Sequence, residues 1–541
     1  MNADYIIVGA GSAGCVLANR LSEDSNNSVV LLEAGVSDRK FIVQMPLGYA
    51  LTFNNPALNW MYDTQPEPEL DGRSCFWPRG KVMGGSSSIN AMVYMRGLPC
   101  DFNAWRDSGC EGWGWDDVLP MFKKHEDHQL VANEHHNQGG ELHISDVSGE
   151  VHPLSELFLT AGTELGYSRT DDFNGSQKEG VGHYQLTSRN GFRASSSNAF
   201  LRPIKRRKNL RVITQAHVIR ILFEECGDGQ NRASGVEYIC KGKKQMLTAS
   251  KEVIISGGAI NSPQLLQLSG VGNANLLRKR GIDMQQDVKA VGQHLQDHLS
   301  HTHYFKSRVP TLNDTLHPLL GKLKVGLQYL LTRKGILSMS VNQAGAFVRS
   351  SPEQSDPDFQ LYFNPLTYSL NGEVRKVMNT DPFSAFSLTF NACRPSSEGT
   401  IELASADPFD KPLIRPNYLS TEKDLQDAIT GNHLLRQLTA TPTMQSVIES
   451  EISPGPSVST DAEFLADFRQ KAGTIFHPCG SCRMGVDAAT SVVDVRLRVH
   501  GLKGLRVVDA SIFPTIPSGN TNAPSMMVGE KGAQMILEDN R

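Results

Sequence analysis

The 541 residues carry no surplus of charge: 53 Lys and Arg against 57 Asp and Glu leave a formal net charge of −4. A nucleic acid would find no basic footprint on such a chain. Nowhere do roughly 18 apolar residues run together, the minimum for a membrane-spanning helix. Cysteine is sparse and odd in number, nine between Cys15 and Cys482. That excludes a disulfide framework and leads us to expect reduced thiols, as in a cytoplasmic protein. No repeat, low-complexity linker or charge block divides the sequence. It opens directly on an apolar strand pattern, so no cleaved leader is expected. What remains is an ordinary globular composition, 39% apolar and 20% charged, long enough for two domains.

What is present begins at once, with DYIIVGAGSAG at 4–14 and VVLLE at 29–33. Tyr5, Ile6, Ile7 and Val8 form a wholly apolar run of the kind found in a buried parallel strand. Gly9, Gly11 and Gly14 make G-x-G-x-x-G where a helical pattern starts, with Ser12 inside it. The spacing supplies a tight turn, a backbone that can approach a pyrophosphate, and a helix packed close to the strand. Glu33, followed by Ala34, ends a second apolar strand 19 residues after Gly14, the reach needed for a ribose diol. Strand, glycines, helix, second strand and acid in register predict a dinucleotide site.

A second strand–glycine–helix turn is predicted at 252–268, where EVIIS precedes Gly257 and Gly258. Past residue 300, the stretches 358–363, 386–390 and 400–403 read as strands of an antiparallel sheet over the cofactor. LRVV at 505–508 is another buried strand, so the chain returns to the first domain. The expected fold class is α/β, a Rossmann-like cofactor domain on a parallel sheet with an inserted α+β substrate domain. Residues 1–300 with 468–541 are assigned to the cofactor domain and 301–467 to the substrate domain. Polar stretches at 134–140 and 225–231 read as surface loops.

GKVMGGSSSINAMVYMRG (80–97) and GAINSPQLLQLSGVG (258–272) resemble the two signatures of the glucose–methanol–choline (GMC) oxidoreductases. HPCGSCRMG (477–485) and 507–533 are similar to the C-terminal block of that family. DGRSCFWPRGK at 71–81 resembles its bacterial aliphatic-alcohol dehydrogenases near choline dehydrogenase. The resemblance implies FAD and the oxidation of an alcohol to a carbonyl compound, with electrons passed to a quinone or another organic acceptor. Its alternatives are an oxidase making hydrogen peroxide and a choline- or sugar-type dehydrogenase. It implies cofactor contacts at Arg79, Gly80, Gly84, Gly85, Ser86, Asn90, Ala91, Met92, Val93, Val218, Gly258, Asp509, Ala510 and Asn522. The Gly84–Gly85 turn and Ser86, Ser87 and Ser88 are read as a nest of exposed donors. Ile89 stands where some relatives carry a flavin-linked histidine, so FAD is expected to be non-covalent.

Alcohol oxidation by a flavin needs a base for the hydroxyl proton, and histidine is suited near neutral pH. The resemblance assigns His477 as that base and Asn520 as a donor to the alkoxide. Cys479 and Cys482 beside His477 supply too few ligands for zinc. His294, His298, His301 and His303 look metal-like, with His294 and His298 on one face if that stretch is helical, but LQDH (295–298) resembles a flavin-domain segment. No metal is expected. Leucines recur at helical spacing between Leu312 and Leu331, among Lys322, Lys324, Arg333 and Lys334. They are expected to be buried in the substrate domain; the alternative is a basic helix on the inner face of the cytoplasmic membrane, near ubiquinone. Arg394 is expected near the substrate pocket, where it would disfavour a cationic substrate.

Overall fold

The computed structural model describes residues 2–130, 132–227, 229–368 and 379–540. Its first sheet contains seven described strands, six of them in the order Leu210–Thr214, Val29–Glu33, Asn2–Val8, Lys243–Ile255, Asn231–Cys240, Ala216–Glu225. Asn2–Val8 pairs in parallel with Val29–Glu33 on one side, Tyr5 opposite Val29, and with Lys243–Ile255 on the other. Leu505–Val507 also joins Lys243–Ile255 in parallel, Val253 opposite Leu505.

The long strand Lys243–Ile255 does two jobs, and its sequence changes character between them. Its first half, exposed over 243–246 and then alternating over 247–250, pairs antiparallel with Asn231–Cys240. Its VII end is wholly buried, as a strand covered on both faces must be. The helices Ser12–Leu21 and Asn522–Asp539 pack together on this sheet. Gly529 makes that approach close, since a Cβ there would lie 2.9 Å from the Ala13 carbonyl oxygen. A buried Arg20–Glu530 ion pair, with Nη2 to Oε1 at 2.7 Å, ties the two helices.

The second sheet is antiparallel, in the order Ile448–Ser453, Leu299–Ser307, Ala385–Ala392, Phe359–Asn364, Ala344–Val348, Gly180–His183. Gly473–Thr474 extends the edge of Leu299–Ser307. Phe305, Phe359, Phe363, Phe386 and Phe390 are buried in its core. The helix Glu422–Thr439 covers it, and Gly431 is required there because a Cβ would meet the Phe390 ring at 2.0 Å. Thr400–Glu402, expected to belong with this sheet, instead forms a separate pair with Leu413–Arg415.

Two expectations for the helical regions fail. The leucine-rich stretch is two helices, Leu312–Leu316 and Leu319–Thr332, with Pro318 at the N-cap of the second. Leu312 of the first helix is buried as expected, but the leucines of the second are not: Leu319, Leu320, Leu323, Leu327, Leu330 and Leu331 are all exposed, while Val325 and Tyr329 anchor the helix. The segment 294–298 is not helical, with His294 at φ +60° in a bend, so His294 and His298 share no helix face.

Candidate active site

One cavity of about 1900 Å³ lies between the two sheets, well beyond the roughly 300–1,000 Å³ of a drug-sized site. It runs from Glu33 and the first glycine turn to the second sheet and the leucine helix. Of the residues expected to bind cofactor, Gly9, Gly11, Ser12, Glu33, Ala34, Arg79, Gly80, Gly85 and Ser86 line it. So do Asn90, Ala91, Met92, Val93, Val218, Gly258, Asp509, Ala510 and Asn522.

Gly14 and Gly84 do not line the cavity, and each has a packing role instead. A Cβ on Gly14 would fall 1.9 Å from the Gly9 oxygen, so this glycine lets the helix start against its own turn. Gly84, at φ +86°, donates its N–H to the Ala10 carbonyl at 2.7 Å, locking the two glycine turns together. The serines after it also differ from expectation. Ser87 Oγ donates to Gly84 O and Ser88 Oγ to Met83 O, so both hydroxyls are consumed in holding the turn. Only Ser86 of the three reaches the cavity. Pro524 and Ala523 are buried in their helix and leave the lining to Asn522, whose Oδ1 accepts from Ser12 Oγ at 2.8 Å.

The charged groups at this end hold backbone. Glu33 accepts from Ala10 N–H at 2.9 Å and from Gly35 N–H at 2.7 Å. Burial pushes its carboxyl up to about 7, against those two bonds. Asp509 accepts from Gly258 N–H at 2.8 Å and Ser262 Oγ at 2.6 Å, clamping the second glycine turn. At Gly258 an added Cβ would meet nothing within 4 Å, so the backbone there faces open cavity. A glycine-lined trough of this length, with an acid at one end, fits a flavin dinucleotide. An aromatic lining residue that was missed in the sequence completes it: Trp60, backed by the buried Tyr62 ring at 5.9 Å and with the Lys81 ammonium 4.5 Å over its own ring. Neighbouring aromatics around Trp60 were the available signal.

At the far end His477 and Asn520, 43 residues apart in sequence, meet with Nε2 and Nδ2 at 3.0 Å. His477 is held from both sides. Its N–H donates to Asp297 Oδ1 at 2.7 Å, and its ring Nδ1 faces His298 Nδ1 at 3.0 Å. Phe476, just before it, sits at φ +72°, a strained conformation for a non-glycine residue. Arg79 holds it there through a bond to the Phe476 carbonyl. Burial, His298 and Arg79 together hold the His477 imidazole well below its usual range, so it is a free base at neutral pH. Asn520 is carried by a loop in which Ser518 N–H donates to Asp101 and Ile516 N–H to Gln296. Its side chain interacts with the buried Tyr362 hydroxyl, although among the described residues neither Asn520 Oδ1 nor that hydroxyl meets full hydrogen-bond geometry.

Arg394 does not line the cavity. It donates to Ser518 Oγ at 3.2 Å and lies 3.7 Å from Asp101, bracing the Asn520 loop from behind. The metal-like histidines are likewise engaged elsewhere. His294 pairs with Glu398, and His301 and His303 share Asn432 Oδ1. Glu126, His128 and His136 form another buried cluster of ligand atoms. The Arg96 guanidinium bonds to Glu126 within it, a cation where a metal would sit. Cys479 and Cys482 are buried free thiols, pushed well above the ordinary range by burial, which leaves them unreactive.

Two sequence families described as GMC oxidoreductase match residues 3–300 and 395–529. The chain belongs to the GMC oxidoreductase family. It is 47% identical to an alcohol dehydrogenase (acceptor) of Pseudomonas putida, over 99% of this chain and 95% of that one. Human mitochondrial choline dehydrogenase is 41% identical, with 98% and 89% covered. Among solved structures, pyridoxine 4-oxidase from Mesorbium loti superposes with a TM-score of 0.88 at 31% identity, covering 98% and 99%. As a GMC oxidoreductase the protein is an FAD-dependent enzyme. Among the described residues no helix is long and apolar enough to cross a membrane.

Proposed function

We propose that this GMC oxidoreductase is a dehydrogenase that oxidises a neutral primary alcohol, medium-chain aliphatic or aromatic, to the aldehyde. The reading rests on the His477–Asn520 pair at the end of the glycine-lined cavity. FAD, when bound, supplies the acceptor for the hydrogen and electron pair that leave the carbinol carbon. An alcohol hydroxyl placed beside the pair reaches both His477 Nε2 and Asn520 Nδ2. As its O–H bond breaks, Nε2 takes the proton and Asn520 donates to the oxygen, holding the developing charge until the carbonyl forms. Ile89, buried at the cavity edge, offers no atom for a bond to flavin, so the cofactor is held non-covalently.

The substrate compartment supports a neutral alcohol. Its lining from the second sheet and the leucine helix includes Tyr304, Tyr362, Asn364, Leu366, Thr389 and Val325. Between Ser300 and Thr389 the described lining residues include no carboxylate, and Lys322 stands among them. A quaternary ammonium would find no carboxylate there, only the rings of Tyr304, Tyr362 and Tyr368, with the Lys322 cation opposing it. The exposed leucines lie beside this compartment, flanked by Lys322, Lys324, Arg333 and Lys334. They support peripheral contact with an anionic membrane, on the inner face of the cytoplasmic membrane, where a quinone takes the electrons.

Anaerobic mixing of the holoenzyme with a series of alcohols tests the reading. Octan-1-ol is expected to bleach the flavin far faster than choline, with slow recovery in air. His477→Ala is expected to slow bleaching by about 10²–10⁴-fold. Faster bleaching by choline, or full turnover in His477→Ala, would overturn it.

A further inference from the structure

His298 is fully buried and stands 179 residues before His477, yet the two rings meet edge to face with centroids 5.2 Å apart. Its two nitrogens have different partners, and this decides where the protons are. Nε2 lies 2.9 Å from the Cys393 carbonyl oxygen. A carbonyl only accepts, so His298 must carry a proton on Nε2. Burial pushes His298 down to about 4, so at neutral pH its Nδ1 is a bare lone pair. That lone pair faces His477 Nδ1 at 3.0 Å. Two lone pairs cannot share such a contact, so His477 must donate from Nδ1. Its Nε2 is then the acceptor, which agrees with Asn520 presenting its amide nitrogen on that side.

We propose that His298 is a positioning residue that holds His477 in the tautomer protonated on Nδ1, leaving the Nε2 lone pair aimed at the substrate hydroxyl. The inference rests on the reading of His477 as the base. The neighbouring backbone is built for the same end. Asp297, next to His298, holds the His477 N–H, while Tyr418 and Thr474 donate to its other oxygen. The N–H of Ile475 donates to the His298 carbonyl, and Gln296 exchanges both backbone bonds with Cys479. The segment 296–298 is thus a rigid template for 475–479.

A neutral imidazole as the orienting partner differs from the carboxylate of a serine-protease triad. It fixes the tautomer without supplying a counter-charge to the imidazolium. The groups facing His477 are His298, Asn520, the Arg79 guanidinium and the Asp297 carboxylate. With no carboxylate on its ring, the His477 imidazolium has only the neutral His298 acceptor to stabilise it, which suits a base that must release its proton each turnover.

The test uses holoenzyme labelled with ¹⁵N-histidine, with the His477 signals assigned by comparison with His477→Gln. At neutral pH the wild type is expected to show a protonated Nδ1 and an unprotonated Nε2. His298→Leu removes the acceptor and is expected to give a tautomer mixture. Its bleaching rate should fall about 10–100-fold, less than the roughly 10⁴-fold of a fully wrong tautomer, because the productive form is still populated. Its pH profile should shift to lower pH, since the imidazolium loses a charge-assisted bond. His298→Asn, whose Oδ1 replaces Nδ1, is expected to restore the tautomer and most of the rate. A wild-type Nε2–H signal would overturn the proposal, as would Leu and Asn variants slowed equally with an unmoved pH profile. Full turnover in His477→Ala would instead overturn the base reading, so the two failures are told apart.

Discussion

The exposed leucine helix yields the most quantitative prediction. Six leucines of Leu319–Thr332 expose between 55% and 79% of their surface. Full burial of a leucine side chain is worth about 1.5–3 kcal/mol. Half-insertion of what each exposes therefore gives about 3–6 kcal/mol for the set. Lys322, Lys324, Arg333 and Lys334 add about 1 kcal/mol each near an anionic surface. Arg333 contributes least freely, because its guanidinium lies 5.0 Å over the Phe192 ring and 5.1 Å over that of Tyr329. Replacing Leu320, Leu327 and Leu331 together with Ser removes half the apolar term. Vesicle partition should then weaken by about 1.5–3 kcal/mol, roughly 10–150-fold. The assay is co-sedimentation with vesicles containing phosphatidylglycerol, with and without added salt, on holoenzyme of each form. Thermal unfolding should be nearly unchanged, because these side chains are already in water. Equal sedimentation of wild type and triple variant, or a wild type that ignores the vesicles, would refute the reasoning.

Two further predictions come from elsewhere in the fold. Gly258→Ala places a methyl in open cavity at a φ of +81°, whereas Gly14→Ala drives one into the Gly9 carbonyl. The first should keep the fold, at a backbone cost of about 1–2 kcal/mol, and lower the flavin-to-protein ratio after gel filtration. The second should lower the melting temperature of the apoprotein outright. Retained full flavin in Gly258→Ala would contradict the placement of the trough. Separately, His136 lies between Asp172 at 2.6 Å and Glu126 at 3.2 Å. Burial alone would lower its pKa, but those two bonds raise it. A raised folded pKa stabilises below the unfolded value near 6.5 and ceases to do so as pH rises through the folded value. The melting-temperature deficit of His136→Gln should thus be larger at pH 6 than at pH 9. A deficit independent of pH would show that His136 acts only by packing.

The parts of this site written in the sequence are those whose geometry is local. Glycine spacing dictates where a turn can tighten and a helix can approach its strand, so both glycine turns could be named from the residues alone. Most of the rest of the trough was named through the resemblance of 71–97 and 507–533 to the family. The close helix packing that the spacing assigns to Gly14 is what the structure shows, whereas Gly84, expected to contact the cofactor, serves packing, because a glycine's spacing does not reveal which side its missing Cβ faces. Ser87 and Ser88 were misread for a related reason: a free hydroxyl and one bonded to a carbonyl three to five residues away have the same sequence.

The sequence by itself determined the fold class and a dinucleotide site, since apolar runs, glycine turns and an acid at a fixed reach act within a few tens of residues. The resemblance of its signatures to the GMC family implied FAD. Tertiary structure alone decided three things. It brought His298, His477 and Asn520 together across separations of 179 and 43 residues, which no local spacing encodes. It moved Arg394 behind the Asn520 loop instead of into the cavity. And it left the leucine stripe facing outward, because an amphipathic pattern records that one face is apolar but not whether protein lies opposite it.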